Sequence, residues 1–106
     1  MSSEPLILAV DLGTSGMKVA LITIKGTVLG WESEPIGIHI TPDGGVEQSP
    51  DEWWATFLMV TKRLLGHATN FQGEPVSRKA IRAVCCSTQG EGTVPVDREG
   101  NALMNC

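Results

Sequence analysis

The chain has 106 residues and a formal net charge of −4 at pH 7, from 8 basic and 12 acidic side chains. This length suits one small domain, and the lack of a basic stripe argues against a nucleic-acid-binding surface. No apolar run approaches the roughly 20 residues of a membrane-spanning helix, and residues 1–5 lack the charged and apolar regions of a secretory signal. We therefore expect a cytoplasmic protein without nucleic-acid or membrane partners.

The opening of the chain predicts a three-stranded antiparallel meander. Apolar stretches separated by short turn sequences predict three strands, over about 6–11, 17–24 and 27–40. Lys25 and Gly26 mark the turn between the second and third strands, and Pro35 indicates an edge strand or a bulge within the third. The sequence Asp-Leu-Gly-Thr-Ser-Gly-Met-Lys, residues 11–18, joins the first two strands.

This joining segment carries the residue types that bind phosphate. Gly13 and Gly16 can adopt positive φ and leave room for the backbone to approach a ligand, and successive inward-pointing N–H groups form a nest for anions. The hydroxyls of Thr14 and Ser15 can donate hydrogen bonds to phosphate oxygens. The spacing differs from that of a Walker A loop, and a strand rather than a helix is predicted to follow.

Asp11 and Lys18 flank the same turn and add the charges that phosphate chemistry needs. A carboxylate such as Asp11 suits Mg²⁺, which takes one or two carboxylates and keeps several waters. The ammonium of Lys18 can offset the negative charge on a phosphoryl group. The alternative is an ordinary hairpin, because Asp, Gly, Thr and Ser are all common turn residues.

A helix is predicted to begin just after Ser49. Ser49 suits the N-cap, Pro50 the first helical position and Glu52 the third position of a capping box. Gly66 is predicted to end the helix. The helical period predicts one buried apolar face, made of Trp54, Phe57, Leu58, Thr61 and Leu65 and widened by Trp53, Val60 and Leu64.

A polar loop over residues 70–79 is predicted to lead into a further strand. Residues 80–87 predict this strand, which we expect to be mostly buried. The sequence Thr-Gln-Gly-Glu-Gly, residues 88–92, breaks the pattern at its end. The chain is therefore predicted to place a flexible glycine-rich turn directly after a buried strand.

The cysteines and histidines predict neither a disulfide framework nor a metal site. Cys85 and Cys86 are adjacent on the predicted strand, so their side chains point to opposite faces. With Cys106 they make an odd count without Cys-x-x-Cys spacing, and we expect buried free thiols. His39 and His67 have no ligand partners at helical or strand spacing and are predicted to be structural or surface residues.

Three segments occur in an order and at a spacing that carry a family resemblance. They are residues 11–18, residues 45–54 (Gly-Val-Glu-Gln-Ser-Pro-Asp-Glu-Trp-Trp) and residues 86–92 (Cys-Ser-Thr-Gln-Gly-Glu-Gly), the last followed by residues 96–100 (Val-Asp-Arg-Glu-Gly). Together they resemble the amino terminus of the FGGY carbohydrate kinases, most closely xylulose kinases. The first segment also suits other members of the actin, hexokinase and heat-shock chaperone superfamily, whereas Glu-Gln-x-Pro-x-x-Trp-Trp narrows the resemblance to FGGY kinases.

The resemblance implies a fold, an activity and a set of site residues. The implied fold is an α/β, ribonuclease-H-like lobe, and the implied activity is ATP-dependent phosphoryl transfer to a sugar or polyol hydroxyl. The implied nucleotide site consists of Gly13, Thr14, Ser15 and Lys18, with Asp11 supporting Mg²⁺. The implied acceptor site consists of Gln89, Gly90 and Glu91.

Four other residues of the second segment are predicted to be structural. Trp53 and Trp54 are expected in the core, because aromatic side chains at helical spacing usually pack there. Glu47 and Gln48 are expected to hold the start of the helix.

The acceptor remains open between a sugar and a smaller polyol. Xylulose kinases carry Met-His at the positions of Gly90 and Glu91, and glycerol kinases carry Arg-Glu, so this chain keeps the glutamate alone. Glu91 could accept hydrogen bonds from two hydroxyls, while Gly90 and Gly92 leave room for the ligand. The alternative is that Glu91 is a solvated turn residue.

Residues 1–106 are predicted to be a partial amino-terminal lobe of an FGGY-type kinase. In that family the general base is an aspartate farther along the chain and the adenine pocket belongs to a second lobe, so the isolated chain is predicted to be inactive. An exposed sheet edge predicts a homo-oligomer. Two other interpretations are a non-catalytic remnant that binds another subunit, and a chaperone or filament ATPase of the same superfamily.

Overall fold

The computed structural model describes residues 4–106 and contains a sheet covered on one side by a long helix. The elements in chain order are β1 Leu6–Leu12, β2 Gly16–Thr23, β3 Val28–Pro35, β4 His39–Ile40, β5 Val46–Glu47, α1 Pro50–His67, a short 3-10 helix Arg78–Ala80, and β6 Ile81–Thr88. The order of strands in the sheet is β3-β2-β1-β6, and β4 and β5 form a separate ribbon. The prediction that residues 1–5 carry no secretory signal falls largely on residues 1–3, which lie outside the described residues.

The predicted antiparallel meander is confirmed, and β6 extends it on one side. β1 pairs antiparallel with β2, with Val10 opposite Val19, and β2 pairs antiparallel with β3. β6 runs parallel to β1, with Cys86 opposite Val10. Parallel neighbours need a long crossover connection, and α1 lies within that connection. The mixed sheet with its crossover helix confirms the predicted α/β fold.

β3 is shorter than the predicted third strand. Its last residue, Pro35, lies opposite Gly16, the first residue of β2. The Ile36 N–H then donates to the Ser15 carbonyl at 3.1 Å, and the chain leaves the sheet. Because β2 begins at Gly16, the pairing of β3 stops there, and β4 pairs with β5 instead.

The core lies between α1 and one face of the sheet. Side chains alternate between the two faces of a strand, and the inward set from β1 and β2 meets apolar residues of α1 and its flanking loops. The core consists of Leu8, Val10, Met17, Val19, Leu21, Ile36, Val60, Leu64 and Ala68. Burial of apolar surface is the main favourable term in folding, so this single layer of contacts supports the fold.

The predicted start of α1 is confirmed. Ser49 is the N-cap, its hydroxyl accepts a hydrogen bond from the Glu52 N–H at 3.4 Å, and Pro50 is the first helical residue. Such a cap stabilises a helix by about 1 kcal/mol. The Glu52 carboxylate does not close the predicted capping box, because it accepts a hydrogen bond from His39 Nε2 at 2.9 Å.

The buried face of α1 is rotated from the predicted one. Val60 and Leu64, predicted at the margin, are 0% exposed, whereas Trp54 is 62% and Leu58 41% exposed. Trp53, Phe57 and Leu65 are partly buried and pack against the core, as predicted. Apolar residues cover more than half of the circumference of this helix, so its period alone does not say which part faces the sheet. The prediction that Trp54 lies in the core is therefore wrong.

The end of α1 also differs from the prediction. The helix passes through Gly66 to His67 and ends at Ala68, whose extended backbone (φ −67°, ψ 138°) breaks the helical path. The Ala68 N–H donates to the Leu64 carbonyl at 2.9 Å and closes the last turn. No helix within residues 4–106 combines the length and the hydropathy needed to cross a membrane.

β6 is exposed along almost its whole length, contrary to the prediction of a mostly buried strand. Only Ile81 is partly buried, and Cys85 and Cys86 are exposed free thiols. The reason is that α1 packs over β2 and β3, while β6 lies at the far edge of the sheet. The predicted homo-oligomer through this edge stays a prediction.

A cluster of charged side chains fastens α1 to β3. Arg63 donates from Nε to the Glu32 carboxylate at 2.5 Å, and from Nη2 to Glu34 at 3.0 Å and to the Ser33 carbonyl at 2.9 Å. His67 Nε2 hydrogen-bonds the second oxygen of Glu32 at 2.7 Å. The bonds from His67 and Arg63 lower the pKa of Glu32 below its usual 4.5.

This cluster makes the stability of the chain sensitive to acid. Because the folded-state pKa of Glu32 is lowered, its contribution is fully present above pH 4.5 and is lost as the pH falls through the folded-state value. We expect Glu32→Gln to lower the free energy of unfolding at neutral pH and to converge with the wild type in acid. Urea unfolding across this pH range, with Glu74→Gln as the exposed control, measures the effect; a Glu32→Gln deficit that persists unchanged to about pH 2 contradicts it.

Candidate functional site

The turn between β1 and β2 is tight and presents two hydroxyl residues. The Gly13 N–H donates to the Gly16 carbonyl at 2.9 Å, which leaves Thr14 and Ser15 exposed at the tip. Neither glycine adopts the positive φ that the sequence suggested. The two positions require glycine because other backbone atoms come close to them. A Cβ on Gly13 would lie 3.2 Å from the Gly16 carbonyl oxygen, and a Cβ on Gly16 would lie 3.1 Å from the Glu34 carbonyl oxygen.

The carbonyl oxygens of both residues at the tip of the turn accept hydrogen bonds from other segments of the chain. Gln48 Nε2 donates to the Thr14 oxygen at 2.6 Å, and the Ile36 N–H donates to the Ser15 oxygen at 3.1 Å. The Thr14 and Ser15 N–H groups, by contrast, donate to no acceptor within residues 4–106. The turn therefore offers exposed hydroxyls and available amide donors, which is the arrangement that an anion needs.

A cavity of about 230 Å³ lies beside this turn and joins distant parts of the chain. It is lined by Thr14, Ile38, Val46, Glu47, Gln48, Gln89, Glu91, Gly92 and Cys106. The structure thus brings Thr14, from the predicted phosphate turn, together with Gln89 and Glu91 of the predicted acceptor site. Gly90 lies outside the lining, with nothing within 4 Å of the position of an added Cβ.

Gln48 is the residue that connects these segments, and its predicted structural role just before the N-cap of α1 agrees with its contacts. It is buried, and beyond its bond to Thr14 it accepts a hydrogen bond at Oε1 from Gln89 Nε2 at 3.0 Å. Its backbone pairs in both directions with Cys106, at 3.0 and 2.9 Å. The carboxylate of the neighbouring Glu47 accepts a hydrogen bond from Asn105 Nδ2 at 3.1 Å.

Asp11 and Lys18 lie on the face of the sheet opposite α1. They are paired across β1 and β2, and Ser87 is paired with Asp11 across β6, so the three form a polar row. All three are exposed and line a second concave surface of about 460 Å³, which also includes the ring of Trp31. The predicted nucleotide residues are therefore divided, with Thr14 on the first cavity and Asp11 and Lys18 on the second.

Comparison with known proteins assigns the family. Residues 6–106 match the FGGY family of carbohydrate kinases, N-terminal domain. The chain belongs to this family. Two of its relatives are a glycerol kinase of Listeria welshimeri, which is 35% identical to this chain over 100 residues, and a xylulose kinase of Staphylococcus epidermidis, which is 30% identical over 100 residues. These matches cover 93% and 94% of this chain and 19% of each relative.

Solved structures agree with the FGGY assignment. The crystal structure of a xyloylose kinase from Brucella ovis matches with a TM-score of 0.77 and 27% identity, and the match covers 95% of this chain and 20% of that one. A gluconate kinase from Lactobacillus acidophilus shares the fold, with a TM-score of 0.76, 20% identity and coverage of 97% and 19%. The predicted resemblance and the predicted fold of the actin and hexokinase superfamily are confirmed, and the chain spans about a fifth of the length of its relatives.

Proposed function

We propose that residues 1–106 are the partial amino-terminal lobe of an FGGY kinase that transfers the γ-phosphoryl group of ATP to a hydroxyl of a sugar or polyol. The observation that carries this proposal is that Thr14 lines the same cavity as Gln89 and Glu91. A phosphate donor held at the turn would thus lie next to an acceptor held at the end of β6. Positioning of this kind supplies most of the catalysis in phosphoryl transfer.

The phosphate side of the proposed site consists of the turn and the polar row beside it. The Thr14 and Ser15 hydroxyls and the Ser15 N–H would donate to phosphate oxygens, and Gly13 would allow the backbone to come close. Lys18 would offset phosphate charge, since it is exposed and lines the same open surface as Asp11.

The donor set fits Mg²⁺ without a dedicated protein cage. Residues 4–106 contain no group of three or more His, Cys, Asp or Glu side chains that could hold a metal ion, whereas Mg²⁺ needs only one or two carboxylates beside water and phosphate oxygens. Asp11 is exposed next to Lys18 and would be its protein partner. Bound Mg²⁺ would supply charge neutralisation on the transferred group.

The acceptor side consists of Gln89 and Glu91, with Gly90 shaping the turn between them. The exposed Glu91 carboxylate borders the cavity and can accept two hydroxyl hydrogen bonds. Xylulose is our first candidate acceptor, because of the Glu-Gln-x-Pro-x-x-Trp-Trp segment. Glycerol is the second, favoured by the glutamate itself and by relatives named glycerol kinase.

Kinase turnover is expected to need more than these residues. The family's general base and adenine pocket are expected outside residues 1–106, so we expect no measurable sugar-dependent ADP release from this chain. A steady turnover that disappears in Asp11→Ala would contradict that expectation.

Amide NMR titration of the labelled chain tests the two halves of the site separately. We expect Mg-ATP to shift signals within residues 11–18 with a dissociation constant of about 1 mM, near −4 kcal/mol. Xylulose and glycerol, titrated in turn, are expected to shift Gln89 and Glu91, and the tighter binder identifies the acceptor class. A well-dispersed spectrum that no ligand changes would instead support the non-catalytic subunit-binding module.

A further inference from the structure

The side chain of Gln48 bridges the two halves of the proposed site. It is 6% exposed, and both ends of its amide group are hydrogen-bonded. Nε2 donates to the Thr14 carbonyl at 2.6 Å, and Oε1 accepts from Gln89 at 3.0 Å. These bonds join segments that are 34 and 41 positions away in sequence. One buried amide thus connects the phosphate turn to the end of β6.

The bond to Thr14 has a consequence for the neighbouring amide. In a trans peptide the carbonyl oxygen and the following N–H point in opposite directions, and the described residues contain no cis peptide. With its oxygen held by Gln48, the Thr14–Ser15 peptide directs the Ser15 N–H away from Gln48. That N–H makes no hydrogen bond within residues 4–106, so it is available to a phosphate oxygen.

The backbone of Gln48 is fixed as well, which limits how far its side chain can move. Its N–H donates to the Cys106 carbonyl at 3.0 Å and its carbonyl accepts from the Cys106 N–H at 2.9 Å. At the other end, the Gln89 N–H donates to the Leu12 carbonyl at 2.8 Å and prolongs the pairing of β1 with β6. The bridge therefore links two anchored points rather than two loose loops.

We infer that Gln48 is a positioning residue that orients the Ser15 N–H for phosphate and couples that turn to Gln89 in the acceptor site. This inference rests on the proposed function. A rearrangement of Gln89 on binding a polyol is transmitted through the Gln48 amide to the Thr14 carbonyl, and hence to the Ser15 N–H. Occupation of one half of the site thereby prepares the other.

The first test uses Gln48→Met, which keeps an unbranched side chain of similar length but removes the amide donor and acceptor. We expect its affinity for Mg-ATP, followed by NMR, to fall about tenfold, the effect of losing one to two hydrogen bonds. We also expect glycerol or xylulose to shift Ser15, which does not line the cavity, in the wild type and to leave its signal unchanged in the variant. Gln72→Met, at an exposed loop position, is the matched control and is expected to behave as the wild type.

A measurement without ligand separates this inference from the proposed function. In the wild type, the hydrogen bond from Gln48 Nε2 to the Thr14 oxygen should give a scalar coupling between that nitrogen and the Thr14 carbonyl carbon. In Gln48→Asn, a milder change that shortens the side chain, the Ser15 amide signal should show exchange broadening. If those signatures are present but Mg-ATP shifts nothing, the proposed function fails while the positioning of Ser15 stands. If the coupling is missing, or if Gln48→Met binds Mg-ATP as tightly as the wild type, the positioning role is overturned.

Discussion

Alanine in place of Leu64 is expected to lower the free energy of unfolding by about 2–5 kcal/mol, the usual cost of truncating a buried leucine. Leu64 is 0% exposed and belongs to the core between α1 and the sheet. Opposite it stands Gly30, where an added Cβ would be only 3.2 Å from Leu64 Cδ1 and 3.3 Å from the Ala68 Cβ. Because Gly30 and Ala68 have little or no side chain to move, the cavity left by the truncation stays open.

Urea unfolding of the purified chain measures this effect, and Leu58→Ala provides the matched control. Leu58 belongs to the same helix but is 41% exposed, so the same chemical change should cost no more than about 1 kcal/mol. Equal losses from both substitutions would contradict the orientation of α1 described above. Equal losses would instead support the buried face that the helical period alone predicts, which includes Trp54 and Leu58.

Replacing Lys18 by alanine is expected to weaken binding of Mg-ATP about 10- to 100-fold. Lys18 is exposed beside Asp11 on the open face of the sheet, close in sequence to the Thr14–Ser15 turn. A hydrogen bond to a charged partner contributes about 1.5–3 kcal/mol, and each 1.4 kcal/mol corresponds to a factor of ten in affinity. Isothermal calorimetry or amide NMR at fixed ionic strength measures the change.

Lys25→Ala is the matched control for net charge. Lys25 is also exposed, but it lies in the turn between β2 and β3, at the other end of the β2 strand. The two variants carry the same net charge, so a loss confined to Lys18→Ala reports on the site and not on the long-range field of the protein. If both variants lose affinity equally, Lys18 has no specific contact with the phosphates.

The features that the sequence predicted correctly are governed by neighbouring residues. Alternating apolar residues indicate strands because side chains alternate along extended backbone, and this pattern identified β1 and β2 within one residue at each end. Ser49 and Pro50 indicate the start of α1 because the N-cap hydrogen bond and the fixed φ of proline both act within one helical turn. The three FGGY segments identified the family, which the match over residues 6–106 confirmed.

The tertiary structure decided whatever depends on segments that are distant in sequence. The contact of α1 with Gly30 and the rest of the sheet determines which side of the helix is buried. Trp54 lies outside that contact and is exposed, although its spacing along the helix is typical of a core residue. β6 has the composition of a buried strand, but its place at the edge of the sheet leaves it uncovered.

The same distinction applies to the candidate site. Residue type and spacing marked Asp11, Thr14, Ser15 and Lys18 as candidates, and the structure then divided them, with Thr14 on the first cavity and Asp11 and Lys18 on the second. Gln48 was marked only as part of the Glu-Gln-x-Pro-x-x-Trp-Trp segment, and nothing local indicated its partners: the Thr14 carbonyl and the Gln89 amide lie 34 and 41 positions away. Only folding brings them within hydrogen-bond distance, and the cost of leaving a buried amide unpaired makes those long-range bonds necessary.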